Sequence, residues 1–188
     1  MSVVIGTVAA SFRVWGRPAL SSLSGSYVEF FRNTPLLVQL FFWAVLLAPA
    51  NLGVTANPLV AGLIGLSVYT GAYVTEAVRS GILSVDVRQL EAARSLGLSQ
   101  VQSLRHVVLP QAFRTVIPPL GNIAIALVKN TSVVSAIAAT ELLKVAGILE
   151  TRTALFEWYL AALVGYWSLT VPLAYAVGQA ERRLAFVR

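Results

Sequence analysis

The sequence contains no cysteine and only one histidine among its 188 residues. Without cysteine the chain can form no disulfide, no thiol nucleophile and no cysteine-ligated metal site, and a single histidine argues against a zinc site. Charged residues make up 12% of the chain, about half the share of an ordinary soluble domain. These shortages, with a mean hydropathy of +0.76, exclude a disordered chain, a coiled coil and a typical soluble enzyme.

Long uncharged runs take the place of the missing charges. The two longest extend from Asn33 to Thr75 and from Trp158 to Ala180. A helix needs roughly 20 largely apolar residues to cross a bilayer. We therefore predict four full membrane spans, at about 34–51, 58–78, 111–129 and 157–179.

Two further apolar segments do not reach a full span. Residues 1–12 are too short and are interpreted as the end of a truncated first span. Residues 131–149 are rich in serine, threonine and alanine, which predicts a partial or interfacial helix. A soluble bundle of buried helices is the alternative, but the uncharged run 158–180 has no polar face to offer water. The sequence thus predicts one all-α transmembrane domain over 1–188.

The basic residues predict the orientation of this bundle. The segment from Arg79 to Arg114 carries five arginines against two acidic residues, whereas the predicted turn at 51–57 carries no charge. The region from Arg13 to Arg32 and the C-terminal segment 181–188 are basic as well. Four spans place all three basic segments on one side, which the positive-inside rule makes the cytoplasmic side. The net charge of +6 is therefore explained by membrane topology, without a nucleic-acid partner.

The loop at about 84–109 has the pattern of a folded element. We predict that Ser84 caps a first short helix and that Gly97 ends it. The run from Ser99 to Gln102 has capping-box spacing and begins a second helix, which Pro110 is expected to end before the next span. Two short helices form either a knob that docks on a partner protein or a solvated amphipathic loop, and the residues alone leave both open.

This loop resembles the EAA loop of ABC importer permeases. The resemblance lies in Glu91-Ala92-Ala93, Gly97, Val107 and Leu109-Pro110 at the family's spacing, with Val107 where isoleucine is usual. The flanking segments 27–39, 71–82, 109–122 and 129–132 are similar to the polar amino-acid uptake subfamily, and the likeness covers roughly residues 20–188. Within that subfamily the chain is most similar to glutamate and glutamine permeases.

The resemblance implies a fold and a set of partners. The fold is the transmembrane bundle of type I ABC importer permeases, here with four full spans, a truncated first span and a cytoplasmic coupling-helix loop. Such permeases lie in the bacterial cytoplasmic (inner) membrane and pair with a second permease copy or a paralogue. They work with two ABC ATPase subunits and an extracytoplasmic solute-binding protein. The family's coupling positions fall on Glu91, Ala92, Ala93, Gly97, Leu109 and Pro110.

The chain itself lacks the residues of an ATPase. A phosphate-binding loop requires Gly-Lys-Ser or Gly-Lys-Thr, but the only lysines, Lys129 and Lys144, follow Val128 and Leu143. We therefore predict a transport subunit that is not an enzyme, that binds no cofactor or metal, and that depends on a separate polypeptide for ATP hydrolysis.

Polar residues at membrane depth are the candidates for the substrate pathway. They supply donors for a carboxylate and acceptors for an ammonium group, and they are Lys129, Asn130, Thr131, Ser132 and Glu141. The alternative for Lys129 is an anchor at the helix end that snorkels to the interface. Glu76 with Arg79, and Glu29 with Arg32, have the spacing of local helix ion pairs.

Two other functions compete with the importer subunit. An ATP-independent amino-acid channel or secondary carrier needs no EAA loop, so the loop favours the importer. A membrane-bound enzyme lacks support, because no carboxylate pair, nucleophile–histidine arrangement or metal cluster lies in or beside a span. The sequence does not identify the amino acid, nor does it separate a homodimer from a heterodimer of permeases.

Overall fold

The computed structural model describes residues 1–184, which form an all-helical bundle. The helices are α1 (Ser2–Trp15), α2 (Pro18–Asn33), α3 (Leu36–Leu46), α4 (Pro58–Leu83), α5 (Val87–Ser95), α6 (Gln100–Ser103), α7 (Leu109–Asn130), α8 (Leu142–Thr153) and α9 (Glu157–Leu184). A π-helical turn, Leu104–Val108, joins α6 to α7, and a 3₁₀ helix, Thr131–Ile137, follows α7. The predicted all-α fold is confirmed.

Helix α4 lies at the centre and contacts α1, α2, α3 and α7. Its glycines allow these close approaches. A Cβ atom added at Gly65 would lie 2.9 Å from the Trp43 ring, and one added at Gly71 would lie 2.9 Å from Ile5 Cγ2. Small residues at such crossings let helix backbones approach within a bilayer, where burial from water supplies no attraction between helices.

The buried apolar core lies where α3, α4 and the 3₁₀ helix meet. Leu40 of α3 is fully buried there, and Leu66 of α4 and Val134 of the 3₁₀ helix pack into the same cluster. This core fixes the segment after α7 against the centre of the bundle. In contrast, Leu163 and Trp167 of α9 expose 64% and 66% of their surfaces, as expected of a helix that faces lipid or another subunit.

Three helical stretches are long and apolar enough to cross a membrane: Pro58–Leu83, Gln100–Ile137 and Glu157–Leu184. The prediction of a full span at 34–51 was wrong in extent, because α3 covers only Leu36–Leu46. Pro35 separates α2 from α3, since the residue before a proline avoids the helical region. The chain then turns through Gly53, whose φ is +65°, and Asn57 caps α4. A missing charge therefore did not distinguish a helix from an apolar turn.

The expected end of the second loop helix at Pro110 was also wrong. The chain stays helical from α6 into α7, because the π turn sets the hydrogen bonds before Pro110 in a wider register. The amide of Leu109 bonds to the Leu104 carbonyl, and Pro110 lies in the first turn of α7, where a missing N–H is tolerated. The segment 131–149 is likewise not one helix but a 3₁₀ helix and α8, separated by Ala138 at φ +65°.

Of the predicted truncated span at 1–12, residues 2–12 lie within α1, a helix of 14 residues that covers about 21 Å, which is less than a bilayer core of roughly 30 Å. Of the basic C-terminal segment, Arg182 and Arg183 lie in the last turn of α9, and Arg188 lies outside the described residues.

Gly81 provides a test of the packing around α4. A Cβ atom added there would lie 2.0 Å from Val116 Cγ2 and 3.3 Å from the Ala112 carbonyl. We expect Gly81→Ala to separate α4 from α7 and to cost about 1–3 kcal/mol of stability. Thermal unfolding of the purified protein measures the loss. Gly178→Ala is the matched control, because nothing lies within 4 Å of its added Cβ. An equal melting temperature for both variants would contradict the packing assignment.

Candidate functional site

The loop between α4 and α7 begins at Asp86, not at Ser84. The Asp86 carboxylate accepts a hydrogen bond of 2.9 Å from the Arg88 amide and so caps α5. The expected cap, Ser84, instead keeps a right-handed helical conformation, and its hydroxyl donates to the Gly81 carbonyl at the end of α4. Three residues, 84–86, separate α4 from α5, and Asp86, which directly precedes α5, takes the N-cap.

Gly97 ends α5 as predicted. Its φ of +84° lies in the left-handed region that favours glycine. The Gly97 amide bonds to the Arg94 carbonyl at 2.9 Å, and the Leu98 amide bonds to the Ala93 carbonyl at 3.2 Å. These two bonds are those of a Schellman motif, which closes the last turn of a helix and redirects the chain.

The predicted capping box begins α6. The Gln102 amide donates to the Ser99 hydroxyl, and the Ser99 amide donates to the Gln102 side chain at 2.8 Å. Two helix-capping motifs of opposite kind, at Gly97 and at Ser99, therefore stand two residues apart. The angle between α5 and α6 is set by local hydrogen bonds of the loop itself.

The EAA residues differ in their exposure at the surface of the loop. Glu91 and Ala92 are exposed, whereas Ala93 is 5% exposed and packs inward. Leu96 exposes 83% of its surface, and the space around Gly97 is open. The loop thus presents an apolar tip beside a carboxylate, a combination that an adjacent protein could cover.

Leu109 and Pro110 do not lie on this tip. They occupy the first turn of α7, beyond the π turn. Two glutamines that the sequence pattern did not indicate connect α5, which carries the EAA residues, to the first turn of α7. The Gln111 side chain donates to the Gln89 side chain of α5 and to the Val107 carbonyl.

An apolar cavity of about 400 Å³ lies behind the loop. Trp15 of α1, Leu83 of α4, Leu90 of α5 and Leu104 of the π turn all line it. Because its walls come from the end of α4 as well as from the loop, the loop rests on the helical bundle and is not a free extension.

The polar candidates around the end of α7 form a second group. Lys129 and Asn130 lie in the last turn of α7, with the Lys129 side chain exposed. The hydroxyls of Thr131 and Ser132 donate to the carbonyls of Val128 and Lys129, respectively. These hydroxyls therefore stabilise the change from α-helix to 3₁₀ helix.

Glu141 connects α8 to α9. Its carboxylate accepts hydrogen bonds from the amides of Leu143 and Lys144, at 2.8 and 2.6 Å, and so caps α8. The hydroxyl of Tyr166 on α9 donates to the same carboxylate at 2.5 Å, and Thr131 faces that hydroxyl. The structure thus brings Thr131 and Glu141 together through Tyr166, a residue that the sequence pattern missed because it lies inside an apolar span.

A third polar group lies on α4, in the part that leads into the loop. Glu76 and Arg79 form the predicted ion pair at 2.6 Å. The predicted pair between Glu29 and Arg32 is absent from residues 1–184, and the Arg32 guanidinium instead lies 5.4 Å from the centre of the Tyr73 ring. Within the same residues, no group of three or more acidic or histidine side chains could hold a metal ion.

Comparison with known proteins agrees with these features. Residues 2–186 match the family described as binding-protein-dependent transport system inner membrane component. The chain is 40% identical over 184 residues to the probable glutamine ABC transporter permease protein GlnM of Bacillus subtilis, covering 97% of this chain and 84% of that protein. It is 37% identical to the glutamate transport system permease protein GluC of Corynebacterium glutamicum, covering 98% of this chain and 86% of that protein.

Solved structures share the fold. A crystal structure of an amino acid ABC transporter with histidines superposes with a TM-score of 0.86 at 34% identity, covering 97% of this chain and 85% of that one. The MetNI methionine ABC transporter superposes with a TM-score of 0.78 at 21% identity, covering 99% and 87%, a likeness of fold alone. The spaced loop motif, the helical bundle and the family match over nearly the whole chain agree, and the chain belongs to the family of inner membrane components of binding-protein-dependent transport systems.

Proposed function

We propose that this chain is the membrane-spanning permease subunit of an ATP-driven importer of polar amino acids. The observation that carries the proposal is the loop with the EAA residues, which folds between two membrane-crossing helices and exposes Glu91, Ala92 and Leu96. Relatives named as glutamine and glutamate permeases support the substrate class. A channel or a secondary carrier has no use for such a loop, so the importer is the better explanation.

The exposed tip of the loop is the proposed contact with the ATPase subunit. Glu91 supplies a charge, Ala92 permits close approach, and Leu96 supplies apolar area. In this proposal Ala93, Leu109 and Pro110 act from behind the surface, because Ala93 packs inward and the other two begin α7. ATP-driven closure of two ATPase subunits then moves the loops of two permease copies, or of a copy and a paralogue, and so alternates the pathway.

The proposed complex defines the experiment. The chain is co-purified with its ATPase subunit from the cytoplasmic (inner) membrane of the bacterium, reconstituted with the solute-binding protein, and assayed for ATP hydrolysis. We expect one polar amino acid together with the binding protein to stimulate hydrolysis and uptake. Uptake that proceeds without ATP would instead support the channel or carrier.

Gly97 provides the variant for the same assay. Gly97→Asp adds a negative charge at the tip of the loop, and we expect at least tenfold lower uptake with weaker recovery of the ATPase. Gly97→Asn is the matched control, because Asn and Asp have similar shapes and both adopt the left-handed conformation more readily than most residues. We expect Gly97→Asn to lose less uptake than Gly97→Asp, and a loss with Asn as large as that with Asp would contradict a role of the added charge at this tip and would indicate backbone strain.

The orientation of the loop is proposed to be cytoplasmic, on the strength of its arginines. The chain has no cysteine, so a single introduced cysteine reports one position. We expect Gln100→Cys, at the exposed start of α6, to react with a membrane-impermeant maleimide only from the cytoplasmic side. Leu52→Cys, in the exposed turn before α4, is the control and is expected to react only from outside. The reverse pattern would invert the proposed topology.

The substrate pathway is proposed to pass Lys129, Asn130, Thr131, Ser132 and Glu141. These residues surround the turn where α7 ends and α8 begins, and the Glu141 carboxylate has no cationic partner among residues 1–184. Such a carboxylate can accept the ammonium group of an amino acid.

Replacing Glu141 tests this pathway. Glu141→Gln keeps an acceptor for the amides of α8 but removes the charge, and we expect at least tenfold lower uptake with normal assembly of the complex. Glu157→Gln, on the exposed first turn of α9, is the control and is expected to transport normally. Wild-type uptake by Glu141→Gln would exclude the carboxylate from substrate binding.

A further inference from the structure

A cleft of about 320 Å³, with two charged side chains in its walls, opens where α4, α7 and the end of α2 meet. It lies away from the Glu141 group, on the part of α4 that leads into the loop. Arg32 of α2 and Tyr73, Glu76 and Ser80 of α4 form one side of the cleft, and Thr115 and Pro119 of α7 form the other. The volume is at the lower end of the range for small-molecule sites, which is roughly 300–1,000 Å³.

The charges of this cleft are not balanced. Glu76 is already paired with Arg79, and this is the one salt bridge in the part of the chain that the structure describes. Arg32 therefore has no carboxylate partner there, and its guanidinium lies over the Tyr73 ring. The cleft thus carries one arginine without a carboxylate partner beside a carboxylate that is already paired.

Both kinds of charge retain capacity to bind. The Arg32 guanidinium can present two parallel N–H groups to a carboxylate. At Glu76, Arg79 Nη2 and Nε bind Oε1 at 2.6 and 3.2 Å, whereas Oε2 accepts only the longer Nε contact of 3.3 Å. A carboxylate offers about four lone-pair sites, so Glu76 can also accept an ammonium group.

We propose that this cleft binds the α-carboxylate of the transported amino acid at Arg32 and its α-ammonium at Glu76. This inference rests on the proposed import of amino acids and adds a binding site apart from the Glu141 group. The α-carboxylate and α-ammonium groups are common to all amino acids, so the cleft is expected to bind these two groups and not to select among side chains.

Equilibrium binding to the purified permease–ATPase complex tests the site without the binding protein. The probes are radiolabelled L-glutamine and L-glutaminamide, in which a neutral carboxamide replaces the α-carboxylate. We expect glutamine to bind at least tenfold more tightly than the amide to the wild type. Arg32→Gln is expected to weaken glutamine binding at least tenfold and to abolish this preference, whereas Arg32→Lys restores part of it.

Arg17→Gln is the matched control, because Arg17 precedes α2 and does not line the cleft. Equal binding of acid and amide by the wild type would overturn the proposal, as would an unchanged preference in Arg32→Gln or no measurable glutamine binding. If Arg32→Gln fails to assemble, the acid–amide comparison is made on Arg32→Lys, and an unchanged preference in that variant overturns the proposal.

A phospholipid headgroup shares the chemistry of an anion beside an ammonium, so O-phosphoethanolamine serves as a competitor. If excess unlabelled glutamine displaces the radiolabelled glutamine and O-phosphoethanolamine does not, the amino-acid site is supported. If O-phosphoethanolamine displaces it better than unlabelled glutamine does, the proposal is overturned. Failure here is distinguishable from failure of the proposed function. Arg32→Gln that still imports an amino acid with its binding protein would exclude the cleft and leave the importer standing.

Discussion

Close packing against the glycines of α4 is the constraint on which the rest of the bundle depends. Gly62 meets the 3₁₀ helix, Gly65 meets α3, Gly71 meets α1 and α2, and Gly81 meets α7. A bilayer supplies no burial from water to draw helices together, so contact at small residues must supply much of the association energy. One helix therefore sets the positions of elements from most of the described chain, and it continues directly into the loop.

The position of the loop follows from this arrangement. Its first helix begins three residues after Ser84, the C-cap of α4, and its second helix runs without a break into α7. The Schellman motif at Gly97 and the capping box at Ser99 fix the bend between them, while Gln89 and Gln111 join α5 to α7. A force applied to the exposed tip would therefore be transmitted to two membrane-crossing helices at once, as the proposed coupling to an ATPase subunit requires.

Two acidic side chains of the bundle are paired with neighbours within it. Glu141 caps α8 and accepts a hydrogen bond from Tyr166, and Glu76 binds Arg79. Such residues are costly within a membrane unless they are paired, and they often mark transport pathways. The two groups differ in charge: Glu141 has no cationic partner among residues 1–184, whereas the Glu76 group holds an extra arginine. This difference suits an ammonium at the first group and a complete zwitterion at the second.

The sequence by itself determined the all-helical membrane class, the glycine stop at Gly97 and the capping box at Ser99, because hydropathy and local hydrogen bonds act over a few residues. It overestimated the span at 34–51, since an uncharged turn has the hydropathy of a helix, and it placed the α5 cap at Ser84, since several polar residues could serve. Only the tertiary structure decided which side of the loop faces outward, that Tyr166 reaches Glu141, and that Arg32 lies over Tyr73 instead of pairing with Glu29. These contacts join separate helices, and their partners depend on how α4 brings those helices together.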